Sequence, residues 1–134
     1  MFKFQISSEE LAERVQRVVK IVPGKALLPI LEMACFRGIE DENIEIVCAT
    51  NEAELKVKAH VTVIEGIWKN FCINAKSFNE VVQNVPKCMI NIAVNDDHHA
   101  IVEYFNGKFE MMWTDSDEYP IYPSIDSDAS KFSL

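Results

Sequence analysis

One order of hydrophobic periodicity runs through this chain twice, and few architectures are open to a chain built that way. Phe2, Phe4 and Ile6 alternate with Lys3 and Gln5, which puts the apolar side chains on one face of a short strand. Ser7 or Ser8 then caps a helix, and Glu10, three residues after Ser7, fits a capping box. Leu11, Val15, Val18 and Val22 form one buried stripe on a predicted helix of about four turns, which Pro23-Gly24 ends. Leu27-Leu28-Pro29-Ile30-Leu31 leads into an apolar run through Met33, Cys35 and Phe36 that reads as a strand. After a turn at Glu40-Asp41-Glu42-Asn43, Ile44, Ile46 and Cys48 mark a second strand. Leu55, Val57, Ala59 and Val61, alternating with Lys56, Lys58, His60 and Thr62, mark a third.

The order then recurs. Ile67 to Ile73 is strand-like, Asn74 caps a helix with Phe78, Val81, Val82 and Val85 on one side, and Pro86 closes it. Met89 to Val94, Ala100 to Phe105 and Lys108 to Trp113 read as strands, with Asn106-Gly107 as a tight hairpin turn between the last two. The expected fold is α+β: two pseudo-symmetric β-α-β-β-β halves, about residues 1–65 and 66–114, forming an antiparallel sheet with two helices on one face.

Beyond that unit the pattern changes. Residues 115–130, with Pro120, Pro123 and several Ser and Asp, read as an acidic extended connector, and Lys131 to Leu134 as the start of a following strand or domain. Asp115, Asp117, Glu118, Asp126 and Asp128 supply much of the formal net charge of -8. A chain so acidic does not coat itself with nucleic acid indiscriminately, because phosphate contact needs Lys and Arg gathered on the touching face. No apolar stretch reaches the roughly 18 residues of a membrane span, and Met1 to Phe4 lacks the pattern of an export signal. A soluble, cytoplasmic protein is expected. Cys35, Cys48, Cys72 and Cys88 stand apart without metal or dithiol spacing and read as small core residues under reducing conditions. Only four glycines, none clustered, argue against a phosphate-cradling loop.

Four segments in register carry a resemblance. Leu27 to Leu31, Ala49-Thr50-Asn51-Glu52-Ala53-Glu54, Ile73-Asn74-Ala75-Lys76-Ser77-Phe78, and Gly107-Lys108-Phe109 followed by Asp117-Glu118-Tyr119-Pro120 resemble the first domain of the bacterial replicative DNA polymerase beta sliding clamp. Asn51 departs from the pattern, standing where the family usually has Asp. The resemblance implies the DNA-clamp fold and a ring of several such domains around duplex DNA, with helices lining the hole. It also implies head-to-tail pairing of edge strands with other clamp domains or subunits. Polymerase and clamp loader would engage the complete ring, and DNA contact would be weak and sequence-independent.

Candidate sites follow. Arg14, Arg17 and Lys20 lie away from the apolar stripe of the first helix and Lys25 follows in the loop, so these are the expected DNA-binding cations. Lys25 stands before the Leu-Pro motif, where the resemblance implies a DNA-contacting base. Phe109 and Met111 share one face of the last strand and, by the resemblance, form the subunit interface, with Lys76 and Lys108 where bases meet acidic partners. The bland alternatives are a solvated helix face and ordinary core burial. Asp96-Asp97-His98-His99 reads as a solvated hairpin tip rather than a metal site, and His60 as a surface residue. No catalytic constellation, cofactor or metal is expected. A second reading is a clamp-like interaction module that pairs with or regulates another clamp without touching DNA.

Overall fold

The computed structural model describes residues 1–22, 32–39, 42–50 and 54–116. Lys25, Leu27 to Leu31, Asn51 and the stretch after Ser116 lie outside them, so the expectations placed there stay expectations. The described elements are β1 (Phe2–Ser7), α1 (Ser8–Val19), β2 (Met33–Gly38), β3 (Asn43–Ala49), β4 (Glu54–His60), β5 (Thr62–Glu65), β6 (Phe71–Asn74), α2 (Ala75–Gln83), β7 (Met89–Val94), β8 (His99–Tyr104) and β9 (Gly107–Asp115).

Local chemistry explains where these elements begin. Ser7 has extended backbone and its hydroxyl accepts the Glu10 N–H at 3.4 Å, while Asn74 accepts the Ser77 N–H at 2.9 Å. The expected capping box is only half made, because the Glu10 carboxylate accepts from the His60 N–H at 3.0 Å instead. α1 is shorter than the periodicity suggests. Past Val19 the chain tightens through Ile21 N–H to Val18 and Val22 N–H to Val19, which keeps Val22 on the buried stripe.

The strands form one antiparallel sheet in the order β4-β3-β2-β6-β9-β8-β7-β1-β5. Each half lends its first strand to the other: β1 pairs with β7, and β6 with β2. The pseudo-twofold extends to single bonds. Ile39 N–H to Asn43 (3.0 Å) answers to Asn95 N–H to His99 (2.9 Å), and Val61 N–H to Glu42 (2.9 Å) to Trp113 N–H to His98 (2.9 Å). Glu42 and His98 both take positive φ, 63° and 70°. One core results, in which Leu11, Val15 and Val18 of α1 and Phe78 and Val82 of α2 pack with the inner faces of the strands. Phe36 stacks on Phe71 at 4.9 Å and meets Phe78 edge-on at 5.4 Å, across the β2–β6 seam.

Three expectations are corrected. The third strand of the first half breaks at Val61 into β4, which pairs with β3, and β5, which pairs with β1. β9 makes the same crossing unbroken, joining β8 through Met112 and β6 from Trp113. Second, the strand expected from Ile67 begins only at Phe71; Ile67 is 88% exposed. Gly66 (φ 74°) turns the chain there, where a Cβ would lie 2.4 Å from the Met1 carbonyl oxygen. Third, the β8–β9 hairpin turns on Phe105-Asn106, with Gly107 already paired to Tyr104. A Cβ on Gly107 would meet the outer end of the Tyr104 side chain, its hydroxyl at 2.8 Å.

Ser8 is the one buried polar residue of the described core. Its hydroxyl donates to the Pro86 carbonyl (2.8 Å) and accepts the Cys88 N–H (2.9 Å), tying the start of α1 to the chain after α2. Ser8→Ala is expected to cost about 1–3 kcal/mol, since it leaves the part-buried Cys88 N–H unpaired and the Pro86 carbonyl with only the weak Cys88 thiol donor. Loss of the cap in Ser7→Ala should cost about 1 kcal/mol. Urea denaturation of both variants checks the difference.

Candidate nucleic-acid and subunit interfaces

α1 and α2 lie side by side, joined where the Gln83 amide donates to the Ala12 carbonyl at 2.8 Å. Between them runs a shallow groove lined by Glu9, Glu13, Gln16, Gln83 and Lys87. The arginines of this helix face are already engaged. The Glu13 carboxylate binds both Arg14 and Arg17, with Arg17 Nε donating at 3.1 Å. These two guanidiniums, Arg17 first, hold the Glu13 carboxyl below its ordinary range. Arg14 also approaches Glu10 at 3.7 Å and donates from Nε to the Lys58 carbonyl at 2.9 Å. Arg14 is therefore largely a strut between α1 and β4. Lys87 pairs with Glu9 at 3.6 Å. Lys20 and Lys76, both exposed, make no ion pair among the described residues.

The crossing strands leave two sheet edges. Because the Val61 N–H bonds Glu42, the odd-numbered residues of β4 face β3, and Lys56, Lys58 and His60 turn their backbone groups outward. Arg14 and Glu10 occupy two of those groups, the Lys58 carbonyl and the His60 N–H. On β9 the Trp113 N–H bonds His98, so Lys108, Glu110 and Met112 turn outward. No side chain among the described residues hydrogen-bonds this second edge.

Along β9, Phe109 and Met111 point inward, half-buried against the main core, and Phe109 stacks on Tyr104 at 5.9 Å. Lys108 is exposed and free of ion pairs among the described residues. Met112, 65% exposed, is the outward apolar residue of this edge and was missed in the sequence. Strict alternation after Met111 would have found it.

The acidic-histidine hairpin disperses its groups. Asp96 takes the N-terminal amine at 2.8 Å, His99 approaches Asp97 at 3.3 Å, and His98 stacks on Trp113 at 4.5 Å. No metal-ligating cluster occurs among the described residues. Cys35, Cys48 and Cys72 are buried, whereas Cys88 is partly exposed rather than in the core. Burial pushes the Cys48 thiol up to about 12.

Two halves that exchange first strands, a helix pair over one face and an open edge at the flank define a clamp-type domain. The chain belongs to the family of the DNA polymerase III beta subunit, N-terminal domain, which it matches over residues 2–123. It is 28% identical to the beta sliding clamp of Bacillus subtilis, aligned over 92% of this chain and 34% of that one. Among solved structures, the sliding clamp of Bacillus subtilis superposes with a TM-score of 0.79 at 26% identity, over 94% of this chain and 34% of that chain. The beta chain from Streptococcus pneumoniae superposes with a TM-score of 0.82 at 15% identity, covering 95% and 35%. The chain thus spans about a third of the length of the curated relatives it matches.

Glu10→Ala should free the His60 amide and speed its hydrogen exchange by about tenfold. Lys20→Ala, at a side chain with no ion pair among the described residues, should leave that amide unchanged. Exchange followed by NMR checks both.

Proposed function

We propose that this chain is the first domain of a ring that encloses duplex DNA and keeps a replicative DNA polymerase on its template. The role is non-catalytic and cytoplasmic, in a bacterium. The family match over residues 2–123 carries this reading. The curated relatives are beta sliding clamps, which does not favour an interaction module that avoids DNA. The helix face meets phosphate weakly, through Lys20 and Lys25, with Arg14 and Arg17 partly neutralised by Glu13, while Lys76 at the start of α2 meets an acidic partner. The β9 edge joins a neighbouring domain by strand addition: the outward backbone of Lys108, Glu110 and Met112 supplies the hydrogen bonds, and Phe109, Met111 and Met112 the apolar contact. Polymerase and clamp loader act on the complete ring.

Light scattering after gel filtration, at several concentrations and with circular or linear duplex, tests the reading. An oligomer that retains circular but not linear DNA supports a ring assembled from this chain. A monomer indifferent to DNA supports a domain that acts within a longer chain. Equal retention of linear and circular DNA overturns enclosure. Where DNA is retained, Lys20→Glu should lower the slope of log affinity against log salt by about one. Glu110→Pro removes an N–H that β8 does not use, so circular dichroism should stay native while assembly is lost.

A further inference from the structure

Two thiols meet where the halves join. Cys35 of β2 and Cys72 of β6 are direct partners in the antiparallel register, and each is fully buried. They share a small apolar cluster with Val47 and Ala49, packed on by Met33, apart from the main core.

The ladder fixes how they face. Ile39 donates to Asn43, so the odd-numbered residues of β2 turn their backbone groups toward β3. Cys35 and Cys72 are consequently a non-hydrogen-bonded pair across the β2–β6 seam. In such pairs the Cα atoms lie about 4.5 Å apart and the side chains approach closely, within the span a disulfide needs. The equivalent position on the other seam holds Gln5 opposite Asn91, so the fold does not itself demand thiols there.

We propose that Cys35 and Cys72 form a reversible redox pair, closed to a disulfide by a peroxide and reopened by thiols, that staples the first half of the domain to the second. Arg37 lies two residues along the same face of β2, and its charge favours the thiolate at Cys35, which makes Cys35 the attacking sulfur. The Cys35 thiolate attacks hydrogen peroxide: an S–O bond forms, the O–O bond breaks, and the departing hydroxide takes the thiol proton as water. Cys72 sulfur then attacks the sulfenic sulfur, forming S–S and breaking S–O, and the second water leaves with the Cys72 proton. Both sulfurs are oxidised and both peroxide oxygens reduced. Burial makes closure slow, limited by local opening of the sheet.

The whole chain tests this. Native protein is first alkylated to block the accessible Cys88, then exposed to hydrogen peroxide, unfolded in maleimide and mapped by mass without reduction. The expected result is a Cys35–Cys72 linked peptide two hydrogens lighter than the sum of its parts. It should disappear on reduction with dithiothreitol, and the oxidised protein should melt a few degrees higher than the reduced one. Cys35→Ser and Cys72→Ser should each abolish the link. Recovery of both residues as maleimide adducts, or a link to Cys48 instead, would overturn the proposal, and neither readout depends on a variant folding.

Discussion

Exchange of first strands between the two halves is the constraint on which the rest of this structure depends. β1 has its main partner in β7, and β6 has its own in β2, so neither half closes a sheet by itself. The aromatic cluster bridges the halves: Phe36 meets Phe71 across the β2–β6 seam, and Phe2 and Phe4 of β1 meet Trp68 and Phe71. Removing either half would strip a strand ladder and open this cluster at once. The domain is therefore one cooperative unit despite its internal repeat, unlike a solenoid whose repeats contribute in near-independent steps.

The same exchange creates the edges and makes them unequal. A strand that leaves one pairing partner to join another exposes a free flank over part of its length; β9 and the β4–β5 pair both do so. α1 plugs the end of the β4 edge with Glu10 and Arg14, whereas the β9 edge is open among the described residues. Joining β9 to the β4 edge of another copy would first displace two charge-assisted hydrogen bonds, at about 1.5–3 kcal/mol each. An assembly through β9 thus favours a partner edge that lacks this plug. Contacts between unlike surfaces are heterologous, the kind that closes rings.

Much of the architecture was legible because alternation and the helical stripes are local properties of the chain. Both helix caps, the doubled order and the two-helix layer followed from spacing alone. What was not legible depends on partners distant in sequence. The break at Val61 exists because β1 competes with β3 for the strand, and no pattern near residue 61 announces it. Gly107 resembles a turn glycine but already lies in the β8–β9 ladder opposite Tyr104. Arg14 falls off the apolar stripe and so reads as a free cation, although the Lys58 carbonyl claims its Nε. The adjacency of Cys35 and Cys72 follows only from the exchanged strand, which periodicity cannot reveal.

Electrostatics of the helix face bear on how such a domain could hold DNA at all. Glu13 bound to Arg14 and Arg17, and Glu9 beside Lys87, present to a passing phosphate little more than paired charges. Fields of that kind decay within a Debye length, about 8 Å at physiological salt. On the proposed function the residual pull of Lys20 would be shallow, and its contact would follow the phosphate backbone rather than base sequence. A shallow, sequence-blind surface cannot retain a duplex by affinity, but it imposes little barrier between successive positions along one. If the chain acts as proposed, retention would come from a closed path of domains around the DNA, and the open β9 edge, rather than the helix face, would be the part of this domain on which processivity depends.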